Sequence, residues 1–182
     1  MKELSAYLEQ LNNNANVPKQ QIVDEVVAGI KEAGYMIVDQ NDTKPWGAYI
    51  RMDGSQAGRF IADFFPGLTL EEAQLGMKDA ELSPKILIVA PDQRLSWQYH
   101  NRRAERWAFL TEGGYYKNTT DDQGELVVAQ PGTVVQFQKG ERHRLAGTND
   151  KYVVVAEIWQ HTDASQPSNE EDIVRLADDY QR

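Results

Sequence analysis

From residue 84 onward the chain breaks into short apolar runs of one kind: KILIVA, LSWQYH, RWAFLTEG, ELVVAQ, TVVQF and YVVVAEIW. Turn residues separate them at Pro91-Asp92, Asp121 to Gly124, Pro131-Gly132 and Gly147 to Asp150. Runs this short, at roughly ten-residue spacing and with no helical stretch between them, predict an antiparallel sandwich or barrel. A parallel sheet is disfavoured, because parallel neighbours need long crossover connections.

The first 34 residues have a different texture. Leu4, Leu8 and Leu11 share one helical face, and Ile22, Val26 and Ile30 share another. Pro18 stands where a second helix would start and Gly34 where it would stop. YMIVD at 35–39 reads as one strand, and Thr69 with Glu72 forms a capping box for a short helix through Met77. The chain therefore divides into a helical extension at 1–43 and a mainly β domain at 44–182, whose barrel core spans 84–160. The segment TDASQPSNEED at 162–172 reads as a linker, and DIVRLADDYQR after it docks on the barrel or forms a last short helix.

Charge and residue usage narrow the function. A net charge of -9 and a pI near 4.8 oppose general affinity for nucleic acid or anionic lipid. No run approaches the ~18 apolar residues of a membrane span, and the start lacks a basic region followed by an apolar stretch. The expectation is a soluble, cytoplasmic protein. With no cysteine in the chain, any metal must be held by nitrogen and oxygen donors.

Such donors are present. Gln98 and His100 alternate by two along one strand and so face the same side. Glu105 opens the next strand, and His143 follows a glycine turn some forty residues later. A barrel can bring all four together. One carboxylate, two imidazoles and an amide oxygen leave a divalent ion with net positive charge and open positions, which suits Lewis-acid chemistry.

The segment GTVVQFQKGERHRLAG at 132–147 resembles the second motif of the cupin superfamily, with Gly132, Gly140 and His143 in place. Gln138 replaces that motif's proline and Gly147 its asparagine. RLSWQYHNRRAERW at 94–107 is similar to the mannose-6-phosphate isomerase cupins, matching their pattern at Ser96, Gln98, His100, Arg103, Ala104, Glu105 and Trp107. KPWGAY at 44–49 and EEDIVRLADDYQR at 170–182 resemble further segments of the same enzymes.

The resemblance implies a single jelly-roll cupin barrel with one divalent metal ion held by Gln98, His100, Glu105 and His143. Zinc is the first choice, ahead of manganese, iron, nickel or cobalt. It implies aldose–ketose isomerisation through an enediol, with mannose-6-phosphate and fructose-6-phosphate as the first pair. Arg175 stands where the family places an arginine at the reacting carbons, and Ser96 where it places a serine on phosphate. Lys85, one strand earlier, is a second candidate for phosphate. Glu141 and His161 are the candidates for general base. Trp46, Trp97, Trp107 and Trp159 read as structural. An isomerase of an unphosphorylated sugar such as lyxose, a non-catalytic sugar-binding cupin, and a homodimer paired through strand edges remain open.

Overall fold

A computed structural model describes residues 4–8 and 10–181. Two short-to-medium helices come first, α1 (Leu4–Leu8) and α2 (Lys19–Glu32). The helix expected through Leu11 ends early. The Asn13 carbonyl accepts from the Tyr152 backbone N–H, and the Asn13 side-chain amide donates to the Tyr152 carbonyl at 2.8 Å, which pulls this stretch onto the sheet. α2 starts after Pro18, buries Ile22, Val23, Val26 and Ile30, and stops before Gly34 at φ 83°. Only a residue tolerant of left-handed backbone fits that exit.

β1 (Ile37–Asn41) and β2 (Gly47–Met52) form an antiparallel pair. A 3₁₀ turn at Gly54–Gln56 then leads into α3 (Ala57–Phe64), which buries Ala57, Phe60, Ile61 and Phe64. α4 (Leu70–Gln74) carries the expected capping box between Thr69 and Glu72. It stops before Met77 because Leu75 and Gly76 both take positive φ.

The remaining strands are β3 (Lys85–Val89), β4 (Trp97–Tyr99), β5 (Arg103–Phe109), β6 (Gly113–Asn118), β7 (Val127–Ala129), β8 (Val134–Phe137), β9 (Arg142–Ala146), β10 (Val153–His161) and β11 (Val174–Ala177). They make two antiparallel sheets, ordered β1-β2-β3-β10-β5-β8 and β11-β4-β9-β6-β7. The mainly β barrel expected from the sequence is what forms, with the helices packed on the outside of the six-stranded sheet.

That packing explains why β3 and β10 are apolar at nearly every position. Ile86, Ile88, Val154, Ala156 and Ile158 face the helices, in one cluster with Ile22, Val26, Ile30 and Phe60. Leu87, Val89, Val153 and Val155 face the barrel interior, with Trp107, Phe109, Phe137 and Leu145. A sheet covered on both faces loses the polar half of its alternation. Each Val, Leu, Ile or Phe among them, fully buried, contributes about 1.5–3 kcal/mol. The same parity carries Lys85, Arg103, Glu105, Glu157 and Trp159 to the interior side. Among the described residues, no helix is long and apolar enough to cross a membrane.

Candidate metal centre

The polar interior lies where β4 and β9 of one sheet face β5 and β10 of the other. Gln98 pairs with His143 on one side and with Arg175 on the other, so three of the side chains singled out in the sequence sit abreast on β11, β4 and β9. Glu105 reaches in from β5. Its Oε1 lies 3.1 Å from His100 Nε2, and its Oε2 lies 3.3 Å from His143 Nε2. All three residues are buried, and their donor atoms lie within 4.8 Å of one another.

Both imidazoles are oriented from behind. His100 Nδ1 donates to the Asp172 carbonyl, and His143 Nδ1 donates to the Glu141 carbonyl at 3.0 Å. A carbonyl oxygen only accepts, so each Nδ1 carries a proton, and in the neutral ring Nε2 presents its lone pair toward Glu105. Phe137 stacks on the His143 ring at 4.6 Å, and Trp107 meets it edge-on at 5.3 Å.

His143 Nε2 and Glu105 Oε2 are buried without a hydrogen-bond partner. Orphaned polar atoms cost free energy unless something else satisfies them, and a cation between two lone-pair donors does so. Burial pushes the His143 imidazole down toward its neutral form, against the pull of Glu105. Burial also opposes ionisation of Glu105, but His100 and Arg103 outweigh it and hold that carboxyl well below its usual range. His143 is thus held toward its neutral form and Glu105 toward its carboxylate, the states in which each can donate to a divalent metal. Gln98 lies on the wall of the adjoining cavity, where its Oε1 accepts the Ser96 hydroxyl at 2.6 Å and keeps a second lone pair.

The cavity has a volume of about 430 Å³. Ser96, Lys85 and Arg175 line it together with Gln98 and Glu105. Lys85 is already paired with Glu170 at 2.7 Å and lies over the Trp159 ring, whereas Arg175 is exposed and enters none of the ion pairs among the described residues. Two candidates are not brought to the cavity wall. The Glu141 carboxylate pairs with Lys117 at 3.2 Å and accepts from the Gln138 backbone. Both ring nitrogens of His161 are taken, by the Glu81 carbonyl and the Ser168 backbone N–H. Trp46 belongs to the interior cluster as expected and also lines the cavity.

Three residues matter here that sequence reasoning gave no role. Arg103 donates from Nε to Glu105 Oε1 at 2.8 Å, and from Nη1 to the Ser168 hydroxyl and the Asn169 carbonyl, with its guanidinium 4.0 Å from the Trp159 ring centre. Asp172 is buried and accepts from the backbone of Asn101 and Arg102 and from the Ser168 hydroxyl. Glu157 lines the cavity from β10, with Oε2 held by the Trp107 indole at 3.0 Å. The available signal for Glu157 was a carboxylate inside a run apolar on both faces.

Residues 76–178 match the family model described as mannose-6-phosphate isomerase C-terminal. The chain belongs to that family. Its fold is shared with the capsular polysaccharide assembling protein CapF from Staphylococcus aureus, at 14% identity and a TM-score of 0.51 over 86% of this chain and 40% of that one. CapF with the inhibitor 3-isopropenyl-tropolone also matches, at 14% identity and a TM-score of 0.51 over 88% of this chain and 42% of that one. A cupin 2 conserved barrel domain protein from Salinispora arenicola matches at 21% identity and a TM-score of 0.40, over 49% of this chain and 69% of that one. The chain thus spans about two fifths of the CapF chains. No curated protein sequence matches it. It is a single cupin barrel in which His100, Glu105 and His143 are buried and Gln98 lines the cavity.

Proposed function

We propose that this protein is a metal-dependent aldose–ketose isomerase acting on a sugar phosphate, with mannose-6-phosphate and fructose-6-phosphate as the first pair. The observation that carries this reading is the buried His100–Glu105–His143 donor set, with two orphaned atoms, beside a polar cavity large enough for a sugar. His100, Glu105, His143 and Gln98 would hold one divalent ion, zinc being the first choice. When bound, the ion supplies positive charge beside the substrate's oxygens, which favours the enediol. Arg175, in no ion pair among the described residues, adds a second positive charge next to Gln98.

The charges on the wall support an anionic substrate. Lys44, Arg51, Lys85, Arg103 and Arg175 are matched in number by Asp39, Glu81, Glu105, Glu157 and Glu170, so a divalent ion leaves the cavity net positive. One feature favours an unphosphorylated sugar instead: Lys85 is occupied by Glu170 and the Ser96 hydroxyl by Gln98, and a phosphate would have to displace both partners.

Kinetics separate these readings. Arg175→Ala keeps metal and substrate binding but lowers kcat by about 10²- to 10³-fold, the scale of losing one oxyanion donor. Ser96→Ala raises KM for mannose-6-phosphate and leaves KM for mannose or lyxose unchanged. Equal effects of Ser96→Ala on both substrate types would remove the phosphate contact. Binding of a sugar by wild type with no turnover would make the protein a sugar-binding cupin.

A further inference from the structure

We propose that Glu157 is the acid–base residue that moves the proton between the two reacting carbons. The inference rests on the isomerase reading and names a group that this reading leaves open. β10 alternation directs Glu157 to the interior, where it pairs across the sheet with Lys85 and Trp107 and lines the cavity together with Gln98, Glu105 and Arg175.

Two carboxylates on the cavity wall are buried, Glu105 and Glu157. Glu105 is committed to Arg103 and to the two imidazoles. Glu157 has one oxygen fixed by the Trp107 indole, and among the described residues no hydrogen bond reaches the other. An anchored carboxyl with a free oxygen on the wall is oriented yet available to substrate. Burial pushes this group up to about 7, with Glu105 adding to the rise while Lys85 and Arg103 oppose it. A carboxyl in that range both takes and returns a proton near neutral pH.

The chemistry balances without a further reactant. The Glu157 carboxylate removes the proton on C2 of the aldose, the C–H electron pair becomes the C1=C2 bond, and the carbonyl π pair moves to O1. The carbonyl re-forms at C2 as the O2 proton passes to O1, and protonated Glu157 returns its proton to C1. One proton has moved between carbons and one between oxygens.

The test uses Glu157→Gln, which keeps the size and an acceptor for the Trp107 indole, with Glu157→Asp as the conservative partner. For wild type and both variants, kcat and KM on mannose-6-phosphate are measured against pH, with metal content and melting temperature alongside. Exchange of the C2 hydrogen with deuterated solvent is followed by NMR. In Glu157→Gln, kcat falls about 10²- to 10⁴-fold and exchange stops, while metal content and KM hold. The acid limb of the wild-type kcat/KM profile, set by the raised Glu157 carboxyl, disappears in that variant. Glu157→Asp keeps the limb and part of the rate. Retention of kcat within about tenfold by Glu157→Gln, or equal loss in both variants with no change in profile, overturns the assignment. A wild-type protein that isomerises none of the aldoses overturns the isomerase reading, and this inference with it.

Discussion

Replacing Asp172 by alanine tests whether the segment before β11 sets the metal donors. Its carboxylate accepts from Asn101 N and Arg102 N, both at 2.9 Å, and from the Ser168 hydroxyl at 2.7 Å, while its carbonyl receives His100 Nδ1 and, at 3.3 Å, Arg103 Nη1. Removal of the carboxylate strands two backbone N–H groups, each at a cost of about 1–3 kcal/mol. Because the Arg102 side of the segment is partly open to water, the lower half of that range applies, and the total is about 3 kcal/mol. For a chain of this size that lowers Tm by about 6–12 °C. The loosened carbonyl also frees His100, so metal affinity falls about 10- to 100-fold, as when other outer partners of ligating histidines are lost. Burial raises the Asp172 carboxyl, but the Ser168 hydroxyl and the two backbone donors outweigh it and leave the group lowered. Its stabilisation is therefore complete above the unfolded value of about 3.9 and fades as pH falls through the lower folded value. The melting difference between wild type and Asp172→Ala should shrink over that acidic window. Thermal melting across pH, with competitive metal titration, measures both effects. Unchanged Tm and unchanged metal affinity would refute the reasoning.

Two further outcomes test the centre and the register around it. Wild-type protein should carry one divalent ion per chain and His143→Ala should lose it by elemental analysis; full occupancy in the variant sinks the donor assignment. Gly47→Ala should cost about 3 kcal/mol, since φ is 149° and a Cβ would sit 1.9 Å from the Ile88 carbonyl oxygen. Gly132→Ala, also at positive φ but with open space around it, should cost only about 1–2 kcal/mol. Equal melting shifts for the two would contradict the close approach of β2 to β3.

The strands buried on both faces were the most legible part of the fold. KILIVA and YVVVAEIW stood out because helices on one side and the barrel interior on the other leave no polar alternation. Short or mixed strands were harder. β6 begins with two glycines, and β9 (RHRLA) carries two arginines and a histidine, so neither has an apolar run to notice. α3 has a weak signature, although Phe60, Ile61 and Phe64 are spaced for one buried face, because the helix is only eight residues long and follows a 3₁₀ turn. At the site, residue type and spacing pointed to His100, Glu105 and His143, which the fold does bring together. Arg103 and Asp172 were harder to weigh, since their importance lies in backbone carbonyls and N–H groups far apart in sequence.

The C-terminal segment links these features. Read from composition it is a linker, yet Ser168 and Asp172 are buried in it, and β11 after it pairs with β4. Asp172 orients His100, Arg103 ties the same turn to Glu105, Glu170 holds Lys85, and Arg175 lies beside Gln98. A single stretch of about ten residues thus fixes donors on one side and charged groups of the cavity wall on the other. The candidate donors and the charged groups of the cavity wall are therefore held by one hydrogen-bonded segment, which is why replacing Asp172 is expected to be felt at His100.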